Sequence, residues 1–142
     1  MRPDIAELLR TTALQLPGMV APTPYALGTA GLMTGLLMIS AQHYDRAAEI
    51  RVADNQEMRA LFAELAPTVH NLVLRGRLEA AARTADASIR ISLLNAANAE
   101  LRKLLIALQA YLEVEHDKSG QKRVWDVLKA SAERRMLSTA MG

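Results

Sequence analysis

From Thr11 to Tyr44 the chain carries no Asp, Glu, Lys or Arg, and this charge-free run constrains the fold more than any other feature of the 142-residue sequence. A membrane span, a signal peptide and a buried helix of a soluble protein are the three structures that accommodate such a run. The 17 residues Tyr25 to Ala41 fall just inside the roughly 17 to 25 residues of a membrane helix. Their composition argues against a span. Gly28, Gly31, Gly35, Thr29, Thr34 and Ser40 dilute the hydropathy, Pro22 and Pro24 prevent upstream extension, and no Lys/Arg cluster flanks either end. A signal peptide fits less well, because Asp4 and Glu7 occupy the region that should be basic. Helical phase favours a buried helix. Gly28, Gly31 and Gly35 share one face, and that face continues to Met38, Gln42, Asp45 and Glu49. A face that is glycine early and charged late predicts that the first half of the helix is enclosed and the second half shows one side to water. Three helix-interior glycines cost about 1 kcal/mol each relative to alanine, so close packing against the first helix or a second subunit is expected to offset them.

The length fits one domain spanning 1–142, long enough to bury a core without staples. Apolar residues make up 51% and aromatics only 4%, so the core is expected to be aliphatic and helical. The absence of cysteine excludes disulfides, thiolate zinc sites and a cysteine nucleophile, and a cytoplasmic location is expected. A net charge of +2 is too close to neutral to argue for nucleic acid or anionic lipid as partner.

Five helices are predicted and no strand. The first runs from Asp4, with Glu7 completing a capping box, to Leu16, where Pro17-Gly18 stops it. Thr23 caps the second, which has Pro24 in its first turn and extends over about 24–65. The third opens at Pro67 and reaches about Arg83. Asp86 is the expected cap of the fourth, over about 86–116, and Ser119-Gly120 separates it from the fifth, over about 121–138.

The two long helices carry apolar seams at alternating spacings of three and four. In the fourth the seam is Ile91, Leu94, Asn98, Leu101, Leu105, Leu108 and Leu112; the second half of the other reads Arg51, Asn55, Met58, Phe62 and Leu65. Asn55 to Leu65 aligns without gaps on Asn98 to Leu108 in the pattern N-x-E-Φ-R-x-L-Φ-x-x-L. Two copies fall short of the roughly three that a solenoid needs, which leaves chance similarity and a duplicated helical element as the two readings.

Asn55 and Asn98 are the most specific polar feature, since an amide on an apolar seam must find a partner. Either they bond each other and fix register, or they line a small polar pocket that binds a ligand. No metal site or cofactor is predicted. Glu113-x-x-His116 has the spacing of a carboxylate bundle ligand pair, but Ala60 and Val52 stand three residues after Glu57 and Glu49, so no second pair exists. His43, His70 and His116 fall at different heights along antiparallel helices unless the second helix breaks near Asp54, where Asp54-x-x-Glu57 reads as a helix start. Ser40, His43 and Asp45 lack an elbow and an oxyanion loop. Arg75, Arg77, Arg83 and Arg90, and then Lys118, Lys122, Arg123, Lys129, Arg134 and Arg135, are interleaved with Glu79, Asp86, Asp126 and Glu133, as on solvated helix faces.

The expectation is therefore an all-α antiparallel helical bundle that is a homodimer and acts through contacts with a protein partner rather than as an enzyme, outside the membrane. The alternatives are a small-molecule or metal-binding bundle, a hydrolase among them, and a nucleic-acid-binding regulator using the Arg/Lys faces.

Overall fold

The computed structural model describes residues 4–136, and among them the chain is all α. The five helices are α1 (Ile5–Gln15), α2 (Pro24–Leu65), α3 (Leu72–Ala82), α4 (Ile91–Val114) and α5 (Lys118–Arg134), with single 3-10 turns at Leu16–Met19 and Ala66–Thr68. Two compact units divide at Ala47/Ala48, and α2 contributes its first half to one and its second half to the other.

Local chemistry sets the helix ends, not always where the sequence suggested. Asp4 caps α1 by accepting from the Ala6 amide at 2.9 Å, while Glu7 lies 3.8 Å from Arg10 instead of reaching back to close a capping box. Thr23 accepts from the Ala26 amide at 3.2 Å. Pro67 lies in a 3-10 turn, and α3 begins later, capped by Asn71, whose carboxamide accepts from Leu74 at 2.9 Å. Asp86 is not the cap of the fourth helix. It lies in the irregular stretch before Ile91, and α4 starts after Arg90 with no side-chain cap. Ser119-Gly120 is no separator either: both sit in the first turn of α5, which Asp117 caps by accepting from Gly120 at 2.9 Å. The chain turns instead at His116, in the left-handed region with φ 55°. A side chain at Gly120 would meet the Asp117 carboxylate at 2.6 Å and a Leu112 methyl at 2.7 Å, so both side chains would have to shift to admit one. The predicted end of the fifth helix near residue 138 lies outside the described residues.

In the unit that ends at Ala47, Thr34 of α2 donates to the Ala13 carbonyl of α1 at 3.1 Å, and Arg10 pairs with Asp45. Ala6, Ala13, Ala30 and Ala41 are buried. The rest of this half of α2 is not enclosed, contrary to the expectation from phase. Leu32 is 74% and Leu36 64% exposed, and Tyr25, Leu27, Met33, Ile39 and Tyr44 are exposed as well. Among the described residues a methyl group added at Gly28, Gly31 or Gly35 would meet nothing within 4 Å, so α1 does not pack closely on the glycine face. Phase identified the uncharged helix correctly but could not say whether this chain supplies its cover.

In the unit Ala48–Met136 the second half of α2 and helices α3, α4 and α5 enclose one core. Met58, Leu61, Phe62, Leu65, Val69, Leu74, Leu78, Leu101, Leu104, Leu105, Leu108, Leu112 and Val124 are buried together. Consecutive helices run antiparallel, which places α2 and α4 parallel. Asn98 bonds to Asn55, and further along Tyr111 accepts from the His70 amide at 3.0 Å. Parallel packing explains the internal echo in physical terms. Asn55, Met58, Leu61, Phe62 and Leu65 are buried, and so are their counterparts Asn98, Leu101, Leu104, Leu105 and Leu108.

Candidate functional site

The polar residues of this second unit converge into one network at the end of the core opposite the α4–α5 corner. Asn98 donates from Nδ2 to Asn55 Oδ1 at 2.9 Å, with both side chains buried. Neither amide is used up by the other. Asn98 Oδ1 accepts from Arg51 at 3.1 Å, and Asn55 Nδ2 donates to Asp86 at 3.0 Å and to the Leu94 carbonyl at 3.3 Å. Asp86 in turn accepts from Arg59 at 2.8 Å, and Arg59 Nε donates to Thr84 at 3.1 Å. A relay, Arg51–Asn98–Asn55–Asp86–Arg59, in which Asn98, Asn55 and Arg59 are buried and Arg51 and Asp86 partly so, thus crosses the unit, and its members come from α2, α4 and the loop between α3 and α4.

A second cluster adjoins it. Asp54, only 2% exposed, accepts from Arg134 at 3.1 Å and from Arg135, and lies 3.8 Å from Arg51. Arg134 also pairs with Glu57, and this bond raises its pKa above the ordinary arginine value. Arg51 is shifted the other way, chiefly because burial removes water from its guanidinium and further because Arg135 and Arg102 are close; Asp54 opposes the shift. Asp54 does not start a helix, since α2 is continuous through it. Its carboxylate is the anchor to which the C-terminal arginines of α5 are tied.

Two open grooves border the relay. One, of about 560 Å³, is lined by Val52, Gln56, Arg59, Thr84, Asp86 and Ile89 among others. The other, of about 400 Å³, is lined by Arg51, Asn95, Asn98, Ala99, Arg102 and Arg135. Asn55 itself lines neither, and Asn98 reaches the second. The two amides are thus joined to each other, as in one of the two sequence readings, and one of them, Asn98, also lines a groove.

The remaining sequence candidates are dispersed. Ser40 donates to the Leu36 carbonyl at 2.8 Å, one turn back on its own helix. His116 lies beyond the end of α4, so Glu113 and His116 do not share a helical face. Among the described residues no three His, Cys, Asp or Glu side chains stand close enough to hold a metal ion. Sequence reasoning missed Arg51, Asp54, Asp86 and Arg135 as network members. An available signal was Asp54, a poor helix former placed mid-helix beside Asn55, although its partners lie some 80 residues away. No protein-family model, curated protein or solved structure matches this chain.

Proposed function

We propose that this chain is a non-enzymatic helical protein that acts through protein contacts, and that a second copy of itself docks on the uncovered face of α2. One observation carries the reading: Leu32, Leu36 and Ile39 continue a stripe from Tyr25 at helical spacing, and all are exposed. A contiguous apolar face of this kind marks an interaction surface. Gly31 and Gly35 beside the stripe leave the backbone open to close approach by another helix.

A lipid bilayer is the competing occupant. The helix is long and apolar enough to cross a membrane, and only 11% of its most apolar window is buried. Geometry within this unit favours protein over lipid. A span from Tyr25 to Tyr44 would cover about 28 Å and would set Thr34, and therefore Ala13, near the midplane. Thr11, Thr12 and Gln15, all exposed on α1, would then face the apolar layer, while Arg10 reaches out to Asp45 just past the end of the span.

The test is sedimentation equilibrium in detergent-free buffer. Wild type is expected to be a dimer, and Leu32→Glu/Leu36→Glu a monomer with unchanged helical circular dichroism. A monomeric wild type, or a dimer indifferent to both substitutions, would overturn the interface. Recovery only with detergent would assign the face to lipid and overturn it equally.

A further inference from the structure

The groove beside Asn98 holds more positive charge than its own carboxylates neutralise. Three guanidinium groups line it, Arg51, Arg102 and Arg135, and the carboxylate that Arg51 and Arg135 approach behind it is that of Asp54. Two positive charges are left over. Arg102 is exposed on α4 and takes part in none of the ion pairs among the described residues. Arg51 is fixed by Asn98 through one terminal nitrogen, yet its Nε is buried with no hydrogen-bond partner. A buried donor without an acceptor is costly, and like charges drawn together in a partly desolvated site gain from a bound anion. The relay behind the groove holds Arg51 in place before any ligand arrives, and Asn95 adds a neutral amide on the same wall.

We propose that the groove formed by Arg51, Asn95, Asn98, Arg102 and Arg135 binds a dianionic phosphate group, either free or carried by a small monoester. The charge count selects the class: a phosphate dianion cancels both surplus charges, whereas one carboxylate cancels half. Planar guanidinium forks match phosphate oxygens two at a time. The groove, at about 400 Å³, is also larger than the anion alone requires, which leaves room for the organic part of a monoester.

The experiment is a titration of the full chain, followed through the arginine Nε–H signals by NMR, with inorganic phosphate in one arm and glycerol 3-phosphate in the other. Saturable binding that moves the Arg51 Nε–H signal is expected in at least one arm, and the tighter arm identifies the source. Arg102→Gln, at an exposed side chain without a partner, should weaken binding about tenfold or more, the loss of one charged hydrogen bond. Arg90→Gln, outside the groove, should leave it unchanged. No saturable binding in either arm, acetate binding as tightly as phosphate, or equal weakening by both substitutions would overturn the site. Tight binding of a random DNA duplex that both substitutions weaken alike would assign the charge to a nucleic-acid face and overturn it as well.

Discussion

Asn98 donates to Asn55 at 2.9 Å at one end of the core, and each amide also bonds a charged group from a different segment, Arg51 on one side and Asp86 on the other. The bond is therefore the central link of a chain rather than a closed pair. Its removal is felt at both ends, and the two ends face two different grooves.

Asn55→Leu should accordingly cost more than Asn98→Leu. The first removes one bond each from Asp86, the Leu94 carbonyl and Asn98, for about 2 to 3 kcal/mol; the second removes one each from Asn55 and half-buried Arg51, which water reaches, for about 1 to 2 kcal/mol. The double substitution should show coupling above the roughly 0.5 kcal/mol of independent sites but remain well below wild-type stability. Urea denaturation of the four proteins measures this. A double variant as stable as wild type would mean that the two amides satisfy only each other.

Much of this fold could be read from the sequence because helix propensity and seam periodicity are local. The seams of α2 and α4 and the matched burial of Asn55 and Asn98 follow from spacings within single helices. What could not be read depends on distant partners. Asp86 looks like a cap because Asp before an apolar run usually is one, but tertiary contacts with Arg59 and Asn55 draw it inward. Asp54 resembles a helix start for the same reason, until Arg134 and Arg135 arrive from the far end of the chain. The glycines of α2 fail differently: periodicity identifies a face without charge, and whether this chain covers it depends on packing that no local pattern encodes.

Asp54 is the next test of the polar cluster. Asp54→Asn removes the carboxylate shared by Arg134, Arg135 and Arg51 and leaves their charges facing one another, with an expected loss of about 3 kcal/mol. Arg135→Gln should cost under about 1 kcal/mol, because Arg135 is partly solvated and Asp54 keeps Arg134. Thermal melts of both variants decide between them. Equal costs would show that the cluster is a set of separate pairs rather than one anchor.

Gly31 separates helix stability from association. Among the described residues nothing lies within 4 Å of a methyl group added there, so Gly31→Ala should stabilise the unassociated protein by about 1 kcal/mol through helix propensity alone. Gly31→Leu should do the same at high dilution, yet weaken self-association, because a branched side chain would hold the second copy away. Melting temperatures measured across a concentration series read both effects. A destabilised protein at the lowest concentration would mean that the glycine face is already covered within the single chain.

Acid should reveal the pair that ties α5 to α2. Arg123 donates to Glu64 through Nε at 2.7 Å and through a terminal nitrogen at 2.6 Å, and these bonds hold the Glu64 carboxyl below its usual pKa. A carboxyl whose folded pKa is depressed binds its proton more readily in the unfolded chain, so the stability it contributes is present above the unfolded value, about 4.3. That contribution disappears as pH falls through the lower folded value. Glu64→Gln should thus melt below wild type at neutral pH, and the difference should close in acid below about pH 4. Because both side chains are 44% exposed, the gap at neutral pH should be small and should shrink further in high salt. A gap that stays constant from neutral pH into acid would show that the bidentate pair contributes nothing and that the glutamate acts only through packing.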